Sequence, residues 1–253
     1  MAFSFGNTII TQGLILYLDA GNPVSYAGSG TIWRDLSSGG NNFTLYNSPT
    51  YQNSSIRFNL DGPNQYAACD NNTFGNFGSS SFTLEYVFNL TPAQNLVNTM
   101  YFSSVFAKRS EATRIATAGL PGWTYNPGGS GTNGTYGGLF SCMDSTGTVV
   151  NNGTTYLGNI APENTNVYIT HTVERNSTQI TASYYVNSTY TTKFQYTASG
   201  DGLFNNSLYA TLMKSGNNQY RSGSLYQVRA YNKLLSPAEV RQNFNALKGR
   251  FNL

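Results

Sequence analysis

Acidic residues are the first candidates for chemistry in this sequence, because paired carboxylates can cleave glycosidic bonds. A retaining glycosidase needs a nucleophile and an acid/base about 5–5.5 Å apart, a spacing that alternate positions on one strand provide. Glu85, Glu111 and Glu174 are each isolated from other acids, and Asp144 lies in a segment typical of a turn. No predicted strand carries the pair, so no catalytic residue is assigned. A catalytic pair formed by carboxylates from separate strands remains an alternative, because the sequence does not show such a pairing.

Few other reactive groups are present. The one histidine, His171, is in register with Ile169 and Val173, which favours a satisfied, partly buried imidazole over a catalytic base. Two cysteines and one histidine are too few ligands for a structural zinc site. Cys69 and Cys142 are far apart, and we predict free buried thiols because the chain looks cytosolic. Motifs for a serine nucleophile, a phosphate-binding loop or a zinc protease are absent.

One glycine-rich segment, 119–137, contains the residue types that bind sugars. Exposed aromatic rings can stack on sugar rings, while amides and hydroxyls pair with sugar hydroxyls. The segment has no hydrophobic period, so we predict a long exposed loop. The alternative is that Trp123 is buried under this loop and the tyrosines are scattered over the surface. The candidate glycan-binding residues are Trp123, Tyr125, Asn126, Asn133 and Tyr136.

The charge content argues against partners recruited by long-range electrostatics. Only 10% of the 253 residues are charged, and the net charge is +3. This gives no broad field for nucleic acid or anionic lipid, and the bases between Arg229 and Arg250 are interpreted as a solvated face. No apolar segment is long enough to span a membrane, and the first residues lack the features of a secretory signal. We therefore expect a soluble protein made in a cytosol, with neither nucleic acid nor membrane as a partner.

Alternating apolar residues indicate that most of the chain is β-strand. In one clear case, Phe82 and Leu84 share one face while Thr83 and Glu85 share the other, as in a half-buried strand. Turn residues recur between such segments at the spacing of a sandwich, and Trp33 is assigned to the core. The predicted strands are 14–18, 43–46, 56–60, 65–69, 82–88, 101–107, 138–143, 167–173, 180–186, 190–196, 208–213 and 223–231.

One helix is predicted near the end of the chain. Ser236 can cap it, Pro237 suits its first position, and Glu239 completes a capping box. Apolar residues then recur on one face, and Gly249 is predicted to stop the helix.

Motifs at both ends of the chain match a known group of domains. The matching segments are Leu14 to Leu18, Asp19-Ala20, Asn22-Pro23, Trp33, Asp35-Leu36-Ser37, Phe58 to Tyr66, 82–88, Gly223 to Asn232 and Leu235 to Phe251. They resemble the laminin-G-like, concanavalin A-like lectin/glucanase superfamily, in the version that recurs in structural proteins of tailed bacteriophages. Residues 90–165 match only loosely.

This resemblance implies an all-β fold, a two-sheet antiparallel jelly-roll sandwich with one short C-terminal helix. It also implies an N-terminal arm, 1–13, before a single domain, 14–253. Relatives bind glycans or proteins, a few are hydrolases, and some hold Ca²⁺ with loop carboxylates. Asp61 could be such a ligand, but Gln65 stands where relatives often carry an acid. We therefore predict a plain turn at Asp61-Gly62 and no metal or other cofactor.

The resemblance and the missing catalytic set predict a non-enzymatic structural protein on the exterior of a bacteriophage virion. A capsid decoration protein is favoured over a tail-fibre or adhesin subunit, since no shaft, coiled coil or repeat is present. The expected partners are other virion proteins, contacted through the arm, and cell-surface glycans, contacted through loops. A trimer would suit a virion projection, although no heptads specify a homo-oligomer. The alternatives are a glycosidase or polysaccharide depolymerase and a soluble lectin.

Overall fold

The fold was analysed in a computed structural model of the chain. It describes residues 8–58, 64–90, 105–108, 122–126, 135–143, 157–162, 164–176, 179–197, 207–215, 219–220 and 222–253. In 122–126, 135–143 and 157–162 the description is of the backbone.

Nearly all of the regular structure in these ranges is β-strand. The strands are β1 (Leu14–Asp19), β2 (Ile32–Trp33), β3 (Phe43–Tyr46), β4 (Thr50–Gln52), β5 (Ser55–Phe58), β6 (Tyr66–Cys69), β7 (Phe82–Leu90), β8 (Phe106–Lys108), β9 (Gly122–Asn126), β10 (Thr135–Met143), β11 (Leu157–Pro162), β12 (Val167–Arg175), β13 (Gln179–Val186), β14 (Thr189–Thr197), β15 (Thr211–Leu212), β16 (Lys214–Ser215), β17 (Gln219–Tyr220) and β18 (Gly223–Tyr231). They are followed by the helix α1 (Pro237–Phe251). The predicted strands 43–46 and 223–231 have the observed bounds, whereas 208–213 is reduced to β15.

Two large antiparallel sheets form a sandwich. The first has the order β14-β13-β12-β7-β18-β5-β4, and β1 also pairs with β18, end to end with β5. The second has the order β11-β10-β9-β8-β15-β6-β3-β2. The predicted concanavalin A-like jelly-roll sandwich with one short C-terminal helix is confirmed.

Aromatic side chains from both sheets fill the space between them. Trp33 is fully buried and lies opposite Phe43 in register, which confirms its assignment to the core. The Phe43 ring meets those of Phe74 and Phe106 edge to face, with centroids 6.2 and 6.3 Å apart. Each buried ring removes roughly 150–250 Å² from water, so a chain with little charge still has a strong drive to fold. Cys69 is buried and free in this core, as predicted.

A third layer, the helix α1, covers the outer face of the first sheet. Phe82 and Leu84 of β7 face the core, while Val87 faces a second apolar cluster that includes Val240 and Phe251 of α1. All the side chains described in β7 except Asn89 are buried. The prediction of a half-buried strand at 82–88 is therefore wrong, because α1 shields the face that alternation assigned to solvent.

The local sequence predicts the start of α1 correctly but not its end. Ser236 accepts from the backbone N–H of Glu239, whose carboxylate accepts from the Ser236 N–H, so the predicted capping box is present. Gly249 lies inside the helix, and the predicted stop there is wrong. The cap is Asn252, whose left-handed backbone (φ 52°) directs its N–H to the Lys248 carbonyl oxygen. Asparagine tolerates this conformation better than most residues.

Two glycines make a matched pair for testing the packing. A Cβ on Gly39 would lie 2.2 Å from the Ile15 carbonyl oxygen, whereas one on Gly249 would have no neighbour within 4 Å. We expect Gly39→Ala to lower the free energy of unfolding by about 1–3 kcal/mol, since the backbone must move. Gly249→Ala is expected to raise it by about 0.5–1 kcal/mol through helix propensity. Urea denaturation of both variants is the measurement, and equal effects would contradict the close approach.

Candidate functional site

The residues predicted to bind glycans fall on two paired strands. Trp123, Tyr125 and Asn126 belong to β9, and Tyr136 belongs to β10. These strands are antiparallel, with Cys142 opposite Trp123. Asn133 lies outside the described residues. The prediction of a loop over 119–137 is wrong for 122–126 and 135–137, whereas the glycan-binding role of these residues stays a prediction.

A buried carboxylate, Glu85, is the centre of the strongest polar cluster among the described residues. Arg229 donates to it from Nε at 2.8 Å, and Asn243 of α1 donates to both of its oxygens at 3.1 Å. Tyr168 donates its hydroxyl to the same carboxylate. Asn243 also accepts from the Ile10 backbone N–H at 2.7 Å. Glu85 therefore joins three strands, the helix and the segment before β1.

This cluster has no access to solvent. Glu85 and Arg229 are each 1% exposed, so the interpretation of Arg229 as part of a solvated face is wrong. Burial alone would lower the pKa of Arg229, but the charge of Glu85 raises it above its ordinary value. Burial, with the charge of Glu85, raises the pKa of Tyr168. The cluster resembles an acid/base set in composition, yet no substrate can reach it, and its role is to hold α1 on the sheet.

A second polar link ties the end of α1 to the end of β1. Arg250 contacts both carboxylate oxygens of Asp19 at 2.6 Å. Gln227 joins the two clusters, because it donates to Asp19 at 2.8 Å and accepts from Arg229 at 3.3 Å. Such a two-point pairing fixes the orientation of the guanidinium as well as its position.

Other titratable side chains are also buried and do not face solvent. His171 is fully buried between the rings of Tyr86 and Tyr184, and burial lowers its pKa to about 3. Lys108 donates to the carbonyl oxygens of Asn72 and Leu208 at 2.5 and 2.6 Å, and burial lowers its pKa to about 8. Burial also raises the pKa of the Cys69 thiol to about 12. None of these groups has the exposure that a nucleophile or base requires.

The described ranges contain neither a grouped set of metal ligands nor a helix that could span a membrane. There, no three His, Cys, Asp or Glu side chains are grouped as metal ligands would be. Asp61 lies outside the described residues, and Gln65 is buried, donating to the Ser48 carbonyl oxygen at 3.0 Å. Nor does any helix in the described ranges have the length and apolarity to cross a membrane.

An open polar cleft of about 300 Å³ lies on the outer face of the first sheet, beside the end of α1. Amide, hydroxyl and guanidinium groups line it, and none of the described residues in its lining is an acid. The lining residues are Gln52, Asn53, Ser55, Arg57, Asn89, Asn164, Ser224 and Tyr226. We call this the polar cleft.

A bulge in β18 places Tyr226, the aromatic residue among the described lining of the polar cleft. Leu225 pairs with Phe88 and Gln227 with Val87, so that Tyr226 is the extra residue between them. The Tyr226 ring packs on Phe251 with centroids 5.5 Å apart. Burial raises the pKa of Tyr226, which keeps its hydroxyl protonated as a donor.

The polar cleft retains hydrogen-bonding capacity for a ligand. Its Asn89 donates to Asn166 at 3.1 Å, and Asn166 donates to the Phe251 carbonyl oxygen at 2.7 Å, so this side is fixed to the helix end. In contrast, the Gln52 amide and the Tyr226 hydroxyl make no hydrogen bond within the described part of the chain. A polyhydroxylated ligand would supply the partners that these groups lack.

A second cleft, of about 330 Å³, is a weaker candidate. It lies near the start of β1, and two of its amides are already used inside the protein. Asn41 donates to the Ile15 carbonyl oxygen at 2.8 Å, and Asn71 donates to Asn41 at 3.0 Å. These side chains order the loops before β3 and β7 and leave few groups for a ligand.

Similar solved structures share the fold at low sequence identity. The binding domain of Paraclostridial mosquitocidal protein 1 has a TM-score of 0.57 and 16% identity, covering 92% of this chain and 52% of that chain. Trypanosoma rangeli sialidase in complex with sialic acid has a TM-score of 0.62 and 15% identity, covering 97% and 36%. The binding domain of botulinum neurotoxin DC in complex with SialylT has a TM-score of 0.59 and 12% identity, covering 94% and 52%. At these identities the likeness shows the fold alone.

The chain spans about half or a third of the length of these structures. No protein-family model and no curated protein matches its sequence.

The polar cleft was not found from the sequence because its residues come from distant parts of the chain. Gln52 and Tyr226 are far apart in sequence, and β5 and β18 bring them together. One local signal was available: Asn53 and Asn164 are turn asparagines, and both adopt positive φ. In a chain rich in asparagine, that signal does not separate these turns from others.

Proposed function

We propose that this protein is a non-enzymatic structural protein of a bacteriophage virion that binds glycans in the polar cleft. The polar cleft carries the proposal, since its described lining combines amides, hydroxyls, a guanidinium and a tyrosine, the groups that pair with sugar hydroxyls. Glycoside hydrolysis needs two carboxylates on opposite sides of the scissile bond, and none of the described residues that line the polar cleft is an acid. Glycan binding needs only the groups that are there.

The sialidase and the botulinum toxin domain support glycan binding by a domain of this fold. The bound molecules in these two structures are sialic acid and SialylT. A sandwich of this shape therefore occurs in proteins that contact sugars. The virion role comes from the motifs at the two ends of the chain, which resemble bacteriophage structural proteins.

Within the virion, we propose a place on the capsid exterior, with other virion proteins as partners and a homo-oligomer as the attached unit. The described part of the N-terminal segment is engaged by the protein's own helix, since Gln242 donates to the Thr8 carbonyl oxygen at 2.8 Å. Docking through the arm would then use residues before Thr8. Electron cryo-microscopy of intact particles tests this location: density at capsid lattice positions is expected, and absence of the protein from particles would contradict it.

Glycan binding is tested with the two unengaged groups of the polar cleft. Gln52→Ala removes an exposed amide, and Tyr226→Phe removes only a hydroxyl, so both variants should fold normally. We expect each to weaken the affinity for a bound oligosaccharide by about twofold to tenfold, the value of one hydrogen bond. A glycan array selects the oligosaccharide, and titration calorimetry measures the affinities.

Gln195→Ala is the matched control, since Gln195 is an exposed glutamine on β14. It should leave the affinity unchanged. Full affinity in the double variant Gln52→Ala/Tyr226→Phe would exclude the polar cleft as the binding site. Release of reducing ends from the bound glycan would overturn the non-enzymatic assignment.

A further inference from the structure

A strip of tyrosines lies on the outer face of the second sheet, away from the polar cleft. Tyr46 of β3 and Tyr66 of β6 are directly opposite in register, and their rings stack with centroids 4.6 Å apart and 5° between planes. Tyr220 of β17 leans on Tyr66 at 6.0 Å. Tyr46 is 40% exposed, so part of this aromatic surface faces solvent. We call Tyr46, Tyr66 and Tyr220 the tyrosine strip.

A lysine is held against the tyrosine strip, and no described acidic residue pairs with it. The Lys214 ammonium lies 4.2 Å from the centroid of Tyr66 and 5.5 Å from that of Tyr220. Among the described residues it has no ion pair or hydrogen bond, whereas Arg229, Lys233 and Arg250 are each paired with a carboxylate. Half-burial against the rings lowers the pKa of Lys214, because part of its hydration is lost. An anion at this position would stabilise the ammonium and so offset the hydration that burial removes.

The order of these groups sets the size of the ligand. In the second sheet β6 lies between β3, which carries Tyr46, and β15, which leads directly into Lys214, so the stacked ring and the ammonium approach Tyr66 from opposite sides. Tyr66 therefore separates the exposed ring from the cation. A ligand that contacts both must be longer than one sugar residue, with an apolar ring face at one end and a negative charge at the other.

We infer that the tyrosine strip and Lys214 form a second glycan site, specific for anionic oligosaccharides of two or more residues. One sugar ring stacks on the exposed ring of Tyr46, and the carboxylate or sulfate of a neighbouring residue pairs with Lys214. The apolar C–H face of a sugar ring packs on an aromatic face and buries apolar area there. This site is on the opposite sheet from the polar cleft and does not depend on ligand binding there.

Three hexasaccharides separate the parts of this inference: oligogalacturonate with carboxylates only, κ-carrageenan hexasaccharide with sulfates only, and neutral cellohexaose. At low salt, we expect the protein to bind one or both acidic hexamers at least about fivefold more tightly than cellohexaose. High salt should remove this difference in affinity between the acidic hexamers and cellohexaose. The acidic hexamer that binds more tightly shows whether the ligand's negative charge comes from a carboxylate or from a sulfate. Equal affinity for all three hexamers would overturn the inference.

Substitutions in the tyrosine strip test the assigned roles. Lys214→Gln should abolish the preference for acidic hexamers, and Lys214→Arg should retain it. Tyr46→Ala should weaken binding of the acidic hexamers by about fivefold or more, through lost stacking. Tyr190→Ala, which removes a 50% exposed tyrosine from the first sheet, is the control and should change nothing. An undiminished preference in Lys214→Gln would refute the site.

The same titrations in the Gln52→Ala/Tyr226→Phe background distinguish the two proposals. If the polar cleft proposal fails and the tyrosine strip proposal holds, this double variant keeps its preference for acidic hexamers and loses it on addition of Lys214→Gln. If the strip proposal fails, Lys214→Gln has no effect in either background.

Discussion

Replacement of Glu85 by alanine is expected to lower the free energy of unfolding by about 3–5 kcal/mol, the cost of breaking a buried ion pair. The substitution leaves the Arg229 guanidinium charged and 1% exposed, with no carboxylate to accept its Nε–H. Asn243 and Tyr168 lose an acceptor at the same time. Urea denaturation at neutral pH, followed by tryptophan fluorescence, is the measurement.

A second variant separates the charge from the packing. Glu85→Leu/Arg229→Met replaces both members of the pair with apolar side chains of similar size, and such replacements are often neutral for stability. We expect it to recover part of the loss, but not all, because the donors of Asn243 and Tyr168 stay unsatisfied. If Glu85→Ala costs less than about 1 kcal/mol, the cluster does not hold α1 in place.

The fold was largely predictable because its signals are local. Alternation located most strands, and Ser236, Pro237 and Glu239 marked the start of α1. The errors have a common physical origin in long-range contacts. Alternation in β7 assigned Glu85 to solvent, because the sequence does not show that α1 packs over that face. The interpretation of Arg229 failed for the same reason, since its partner is on another strand.

The candidate site was less predictable than the fold. Composition pointed to Trp123 and Tyr136, which are close together in the sequence. The strand structure at these residues was not predicted, because the glycine-rich sequence shows no clear hydrophobic period. The polar cleft and the tyrosine strip are built from residues that meet only through sheet pairing, such as Tyr46 and Tyr66. Single residues of these types are common on any surface. Their grouping, which decides function, requires the topology.

The stability of the protein is expected to fall in mild acid through one residue, His171. The folded protein binds a proton there only near pH 3, whereas the unfolded chain binds it near the ordinary pKa of 6.5. Protonation therefore favours the unfolded chain between these values, and His171 has no effect above them. The slope is about 1.4 kcal/mol per pH unit, so at pH 5 the loss from this residue is about 2 kcal/mol.

The chain has one histidine, so a single substitution isolates this effect. His171→Leu keeps an apolar side chain between Tyr86 and Tyr184 and cannot take up a proton. We expect its unfolding free energy to change little between pH 7 and about pH 5, while that of the original protein falls. Below about pH 5 carboxylates titrate in both proteins, so the variant and the original protein are compared between pH 5 and pH 7. A slope that survives the substitution would show that the acid sensitivity comes from elsewhere, and that the imidazole is not held neutral in the core.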